Sequence, residues 1–161
     1  CRLVLAGGAA SDDPEGEVVL DEVRAEAKED PDIHILLLPP TSSLEINALQ
    51  RASTIILQKS IREGFGLTVS EALWKKKPVI GSAVGGIPAQ IIPNFTGVLV
   101  YSIEGTAYQI RYLLSHPDIA KRLGDYGHEY VKREFLITRS LRRYLLLFHV
   151  LFHPGERIIN L

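Results

Sequence analysis

Short runs of apolar and β-branched residues occur at Leu3 to Leu5, Ile33 to Leu38, Thr54 to Leu57, Val79 to Ile80 and Gly97 to Val100, and each predicts a strand. Between them, apolar residues recur at helical spacing over about Glu17 to Glu29, Ser43 to Ala52, Gly66 to Lys76 and Gly105 to Leu114. Strand and helix therefore alternate, with connections long enough to cross over, so neighbouring strands are expected to run parallel. The strands read as continuous apolar runs, as expected for a sheet covered by helices on both faces. The predicted fold class is α/β: an open, parallel, Rossmann-like sheet flanked by helices. From Pro117 onward the pattern is purely helical, over Pro117 to Phe135 and Thr138 to Phe148, and Asp118 and Thr138 are candidate helix-start residues. Residues 151–161, with Pro154-Gly155, are expected to form a tail after a domain of residues 1–150.

Composition narrows the function classes. The chain has 161 residues, 46% of them apolar, with 18 Lys plus Arg against 19 Asp plus Glu, which describes a globular domain and excludes disorder. Near-zero net charge supplies no bulk attraction to nucleic acid or anionic lipid, so no nucleic-acid partner is expected. The longest apolar runs, Ile33 to Pro40 and Tyr144 to Phe152, fall far short of the roughly 20 residues that span a bilayer. A cytoplasmic location is expected on this basis, because the first residues lack a signal pattern. The single cysteine, Cys1, cannot form an internal disulfide, and no Cys/His spacing suits a structural metal. Ten of the acids lie in the first 32 residues and nine of the bases from Arg111 onward, a split expected of two oppositely charged solvated faces, with a docking surface as the alternative. The chain contains no Met and opens directly on a predicted strand, so further sequence is expected upstream.

The segment Ser60-Ile-Arg-Glu-Gly-Phe-Gly-Leu-Thr-Val-Ser-Glu71 lies at a strand-to-helix turn. In an open parallel sheet, ligands bind beyond the carboxyl ends of the strands, where a glycine loop lets backbone amides approach a phosphate at the next helix N-terminus. Gly64 and Gly66 fit such a loop, with Leu67 and Thr68 supplying first-turn amides. Two carboxylates, Glu63 and Glu71, bracket it; a carboxylate accepts two hydrogen bonds at once, which suits vicinal hydroxyls of a ribose or hexose. Each piece has a plainer explanation. Gly-Phe-Gly alone is a turn, Glu71 alone is a solvated helix residue, and Lys59 and Arg62 are surface ion-pair partners. Their conjunction is what points to a ligand.

Glu63-Gly-Phe-Gly-Leu-Thr-Val-Ser-Glu71-Ala, followed by Lys77-Pro-Val-Ile-Gly and Val84-Gly-Gly-Ile-Pro, resembles the E-x7-E signature of retaining nucleotide-sugar glycosyltransferases built from two Rossmann-like domains, the GT-B architecture of glycogen, sucrose and trehalose synthases. The likeness extends more loosely from Leu3 to Phe148. Ala10 to Gly16, Asn47 to Ser53 and Leu57 to Val69 are most similar to trehalose synthases, which join a nucleoside-diphosphate glucose to glucose.

The resemblance implies that residues 1–150 are the nucleotide-sugar-binding C-terminal domain, incomplete at its N-terminus. Glu71 would accept from ribose hydroxyls, and the Leu67 and Thr68 amides would face the diphosphate. Glu63, the catalytic candidate, would hold the hexose with the amides of Gly64, Phe65 and Gly66. The base would lie at the loop Leu38, Pro39, Pro40, and Gly85 and Gly86 would form the second glycine loop, where a side chain would crowd the site. The donor would be UDP-, ADP- or GDP-glucose, without a metal or further cofactor. The acceptor sugar would be held by an absent N-terminal domain. The implied reaction cleaves the bond between anomeric carbon and phosphate with retention, through an oxocarbenium-like transition state whose departing diphosphate charge is met by amides and cations. Alternatives are a trehalose phosphorylase-like enzyme, a nucleotide-sugar epimerase and a non-catalytic α/β interaction module. Base preference and acceptor stay open, as does assembly into a homo-oligomer.

Departures from the family pattern carry expectations of their own. The Arg and Lys that point at the donor phosphates precede this chain, and none of His34, His116, His128, His149 or His153 lies in a matching context, so the chain alone is expected to be inactive. Lys76 stands where glycine commonly ends the helix, so the cap must form without the residue that most easily takes positive φ. Pro93-Asn94 replaces an Asp-Gly turn, with Asn94 tolerant of a left-handed conformation. Asn94-Phe95-Thr96 is formally a glycosylation sequon, accidental in a cytoplasmic protein.

Overall fold

The computed structural model describes residues 1–8 and 14–155. Most of the Ala10 to Gly16 stretch of the resemblance, and the end of the expected tail, lie outside the described residues. The chain divides into two compact units, Cys1–Leu49 and Gln50–Leu161.

In the first unit, β1 (Leu3–Gly7) pairs in parallel with β2 (Ile33–Leu37), with Leu3 opposite Ile33 and Gly7 opposite Leu37. Helix α1 (Pro14–Ala27) connects them and stops two residues earlier than the periodicity suggests. Lys28 and Glu29 both take positive φ, 48° and 57°, a conformation no helix continues through. Helix α2 (Ser43–Ala52) begins in this unit and ends in the second.

The second unit holds a parallel sheet of order β3 (Ile56–Gln58), β4 (Val79–Ser82), β5 (Val98–Val100). The strands thus form a two-stranded and a three-stranded sheet, parallel throughout as expected. Helix α3 (Leu67–Trp74) joins β3 to β4, and the one-turn helix α4 (Ile87–Gln90) follows β4. After β5 come α5 (Ile103–Ser115), α6 (Pro117–Glu134) and α7 (Ile137–Phe152). Successive residues of β4 feed different layers, because side chains alternate across a strand. Val79 packs with Val69, Ala72, Leu73, Ile87, Ile91 and Val131, whereas Ile80 packs with Val98, Val100, Leu113, Ala120 and Leu123. Helices cover both faces of this sheet, which explains why β3, β4 and β5 carry no polar alternation; in the first unit every residue of β1 is exposed, so burial does not account for its apolar run.

Helix ends follow local chemistry. Ser102 caps α5, its Oγ accepting from the Gly105 amide at 3.0 Å. Asp118 and Thr138, the candidate helix starts, are not caps: α6 starts at Pro117 after His116, α7 at Ile137 after Leu136, and both residues sit inside the first turn. Proline pre-sets φ and lacks the amide a cap would serve, so it takes the first helical position of α6. At the end of α3, Lys76 adopts φ 60° while its amide donates to the Leu73 carbonyl, and Asn94 also takes φ 60°. Both positions where glycine is absent from the family pattern therefore use the left-handed backbone. Within the sequon, Thr96 is fully buried and its Oγ1 accepts from the Ile92 amide. Helix α7 runs past Phe148 to Phe152 and buries none of its residues; Arg139 pairs with Glu134 of α6 at 2.9 Å.

Candidate functional site

The loop between β3 and α3 leaves the carboxyl end of β3 and carries Glu63. A short polar triangle fixes that side chain. Gln58, the last residue of β3, donates through Nε2 to Glu63 Oε2 at 3.0 Å and to Ser60 Oγ at 2.9 Å, and Ser60 Oγ donates to the same Oε2 at 3.1 Å. Both bonds fall on one oxygen of the half-buried carboxylate, so Oε1 retains its acceptor capacity. Lys59 and Arg62 make no ion pair among the described residues, so neither neutralises Glu63.

Glu71 is the fifth residue of α3, one turn in, and exposed. Its Oε2 accepts from Gln50 Nε2 at 2.9 Å, and Gln50 Oε1 accepts from Lys75 Nζ at 2.6 Å. Gln50, 5% exposed, thus orients the carboxylate and holds the Lys75 ammonium through its other end. The residue is separated from Glu71 by 21 positions. Its only sequence signal was an amide side chain on the otherwise amphipathic helix α2.

Between the two acids the backbone has one dominant feature. The Gly64 carbonyl accepts from the Gly86 amide at 2.8 Å. The Phe65 carbonyl accepts from Gln90 Nε2, and the Gly66 carbonyl accepts from the same nitrogen at 3.3 Å and from the Val69 amide at 2.9 Å. Three consecutive carbonyls are therefore held, and residues 86–90 supply a partner to each. In a trans peptide the N–H points opposite to the C=O. Gripping these carbonyls turns the amides of Phe65, Gly66 and Leu67 away from the 86–90 segment. Among the described residues nothing accepts from those three amides or from Thr68 at the second position of α3. Four successive free amides at a helix start form an anion-binding surface.

The second glycine loop makes this geometry possible. Gly85 has φ 53°, and a Cβ there would lie 1.7 Å from the Glu63 carbonyl oxygen; a Cβ on Gly86 would lie 2.6 Å from that of Gly64. The pair does crowd against the site, but what a side chain would strike is the backbone of the Glu63 loop itself. Gly66 is needed for its conformation, φ 84°, whereas a Cβ on Gly64 would meet nothing within 4 Å.

The other candidates sort as follows. Leu38, Pro39 and Pro40 directly follow β2 in the first unit, Leu38 donating its amide to the Gly7 carbonyl at 2.8 Å. His128 Nδ1 lies 2.7 Å from the Trp74 carbonyl with the two rings in contact, and His116 Nδ1 lies 2.7 Å from the Tyr112 carbonyl. These are packing roles. Among the described residues no group of three or more His, Cys, Asp or Glu could hold a metal, and no helix is long and apolar enough to cross a membrane.

Comparison with known proteins identifies the family and the fold. Residues 1–130 match the family model described as glycosyl transferases group 1. Over 145 residues the chain is 48% identical to a trehalose synthase of Thermococcus litoralis, covering 89% of this chain and 35% of that protein. It is 34% identical over 165 residues to a trehalose phosphorylase of Pleurotus sajor-caju, covering 98% of this chain and 22% of that one. A sucrose-phosphate synthase of Thermosynechococcus elongatus superposes with a TM-score of 0.78 at 28% identity, over 94% of this chain and 38% of its own. An Anabaena protein, HepE, solved in complex with UDP-glucose, shares the fold with a TM-score of 0.75 at 18% identity, over 91% of this chain and 40% of its own. The chain thus spans about a third of the length of the trehalose synthase it matches. With a family match over most of its length and a GT-B fold covering only part of each structural neighbour, the chain belongs to the glycosyl transferases of group 1.

Proposed function

We propose that residues 1–150 form the nucleotide-sugar-binding domain of a retaining glucosyltransferase that passes glucose from a nucleoside-diphosphate glucose to an acceptor sugar, with glucose as acceptor and trehalose as product. The observation that carries this reading is the run of four free amides, Phe65 to Thr68, flanked in sequence by two carboxylates that each retain a free oxygen. Amides suit a diphosphate, which is anionic and carries only acceptors; carboxylates suit hydroxyls, which donate.

In this assignment Glu71 accepts from the ribose hydroxyls, and the amides of Leu67 and Thr68 meet the diphosphate. Glu63 Oε1 and the amides of Gly64, Phe65 and Gly66 hold the hexose near its anomeric carbon, where the Gly66 amide, next in line to that of Leu67, also meets the phosphate joined to that carbon. As the anomeric carbon–oxygen bond lengthens, negative charge accumulates on the departing diphosphate. Prepositioned amides stabilise that charge without reorganising, which lowers the barrier. The acceptor binds to a partner domain outside this chain, so the chain alone binds donor without turning it over. UDP bound with its sugar in the Anabaena fold relative, and the trehalose synthase likeness, both support the assignment.

Calorimetric titration of the chain with UDP, ADP and GDP tests it. Saturable heat with at least one nucleotide is expected; none with any of the three would sink the reading. The likeness to a trehalose phosphorylase favours a second reading, in which the same site holds inorganic phosphate and trehalose. Product analysis of the protein with its partner domain separates the two: disaccharide from a nucleotide sugar and glucose supports synthesis, and phosphate-dependent loss of trehalose without nucleotide supports phosphorolysis.

A further inference from the structure

Gln90 is fully buried at the end of α4, in the layer that packs Ile87 and Ile91 against β4. Its Nε2 donates to the carbonyls of Phe65 and Gly66, 25 and 24 positions away. Its Oε1 is buried with no hydrogen-bond partner among the described residues. An apolar side chain of the same length would fill the space without that unpaired oxygen, so stability alone does not account for glutamine here.

The two carbonyls it grips belong to the peptides whose N–H groups are those of Gly66 and Leu67. Gly66 sits between them with φ 84°, and glycine passes readily between backbone wells, so neither peptide plane is held by local sterics. The Gly66 carbonyl has a second donor in the Val69 amide, but the Phe65 carbonyl depends on Gln90 alone among the described residues. Without Gln90 the Phe65–Gly66 peptide is free to rotate, and the Gly66 amide then leaves the row. We infer that Gln90 is a positioning residue for the donor diphosphate: it never touches ligand, and it acts by fixing the peptide planes that aim the Gly66 and Leu67 amides outward.

The inference rests on the reading of this loop as a diphosphate site, and its test separates the two. Gln90→Leu and Gln90→Met keep bulk and remove the donor. Each deletes one unpaired oxygen while leaving another, so these penalties offset and the melting temperature is expected to stay within about 5 °C of the original. Affinity for pyrophosphate, and for whichever of UDP, ADP and GDP binds the unmodified chain most tightly, is expected to fall at least fivefold. In ¹⁵N spectra the Gly66 and Leu67 amide signals are expected to shift on pyrophosphate addition in the original chain and to respond weakly in the variants. A purely structural role would lower melting temperature and affinity together in both variants, and that result overturns the inference. So does an affinity loss below fivefold with the fold intact, or an absence of any shift at Gly66 and Leu67 in the unmodified chain. If Glu71→Ala weakens nucleotide binding and both Gln90 variants do not, this inference fails alone; if the unmodified chain binds no diphosphate, the proposed function fails with it.

Discussion

Replacing Gly85 by alanine perturbs the place where the two glycine loops touch. Two costs arise. At φ 53° an alanine is held in the left-handed region, at about 1–2 kcal/mol. Its Cβ would then sit 1.7 Å from the Glu63 carbonyl oxygen and 2.7 Å from the carbonyl carbon, inside any tolerated contact. The obstacle is backbone, not the end of a flexible side chain, so the Glu63 peptide must withdraw by more than an ångström, an overpacking cost of about 1–3 kcal/mol. Together these give a loss of roughly 2–5 kcal/mol, or a melting temperature lower by about 5–15 °C in a chain of this size. Urea unfolding followed through the single tryptophan, Trp74 at the end of α3, reads the affected unit. Gly64→Ala is the internal control. Its Cβ meets nothing within 4 Å, and a change within about 0.5 kcal/mol is expected. The reasoning is refuted if Gly85→Ala is as stable as the original, or if Gly64→Ala costs as much. A withdrawn Glu63 peptide also disturbs the triangle with Gln58 and Ser60, so whatever Gly85→Ala protein folds is expected to bind donor sugar more weakly than the original chain.

Other substitutions probe the division of labour between the acids. Glu71→Ala is expected to weaken nucleotide binding by roughly 1–3 kcal/mol, the scale of a lost charge-assisted hydrogen bond; unchanged affinity by calorimetry would make it a surface residue. Glu63→Ala is expected to alter discrimination between hexoses while leaving bare-diphosphate binding nearly intact, and equal losses for sugar-free and sugar-bearing nucleotides would count against that assignment. Away from the site, the hydrogen bond from Lys121, helped by its charge and by Lys76, holds the Asp125 carboxyl below its ordinary range. A depressed carboxylate stabilises the fold above its unfolded-state pKa and loses that contribution as pH falls through the folded value. Chemical unfolding should therefore find Asp125→Asn less stable than the original at neutral pH, with the difference closing in acid; a gap independent of pH would contradict the pairing.

Much of this protein was legible along the chain because it depends on near neighbours. The alternation of strand and helix, the parallel direction forced by crossover lengths, and the placing of Glu71 one turn into α3 all follow from local periodicity. The left-handed Asn94 agrees with the tolerance of its side chain for positive φ, whereas Lys76 takes φ 60° at a helix end where the sequence offered no residue that easily does so. The helix from Pro117 begins where the pattern placed it, but Asp118 does not cap it, because the preceding proline takes the first helical position; α7 begins one residue before the expected Thr138, after uncapped Leu136. What the linear pattern left hidden involves partners 20 or more residues apart: Gln50 reaching Glu71, Gln90 reaching Phe65 and Gly66, and Gly86 donating to Gly64. Helix α4, a single turn, is too short to show periodicity. Residue types and spacing determined which chemistry was available, since carboxylates, glycines and free amides are properties of the chain. Only the packing of residues 86–90 against the Glu63 loop decided where those amides point, because peptide orientation is set by what grips the carbonyls and that partner comes from another segment.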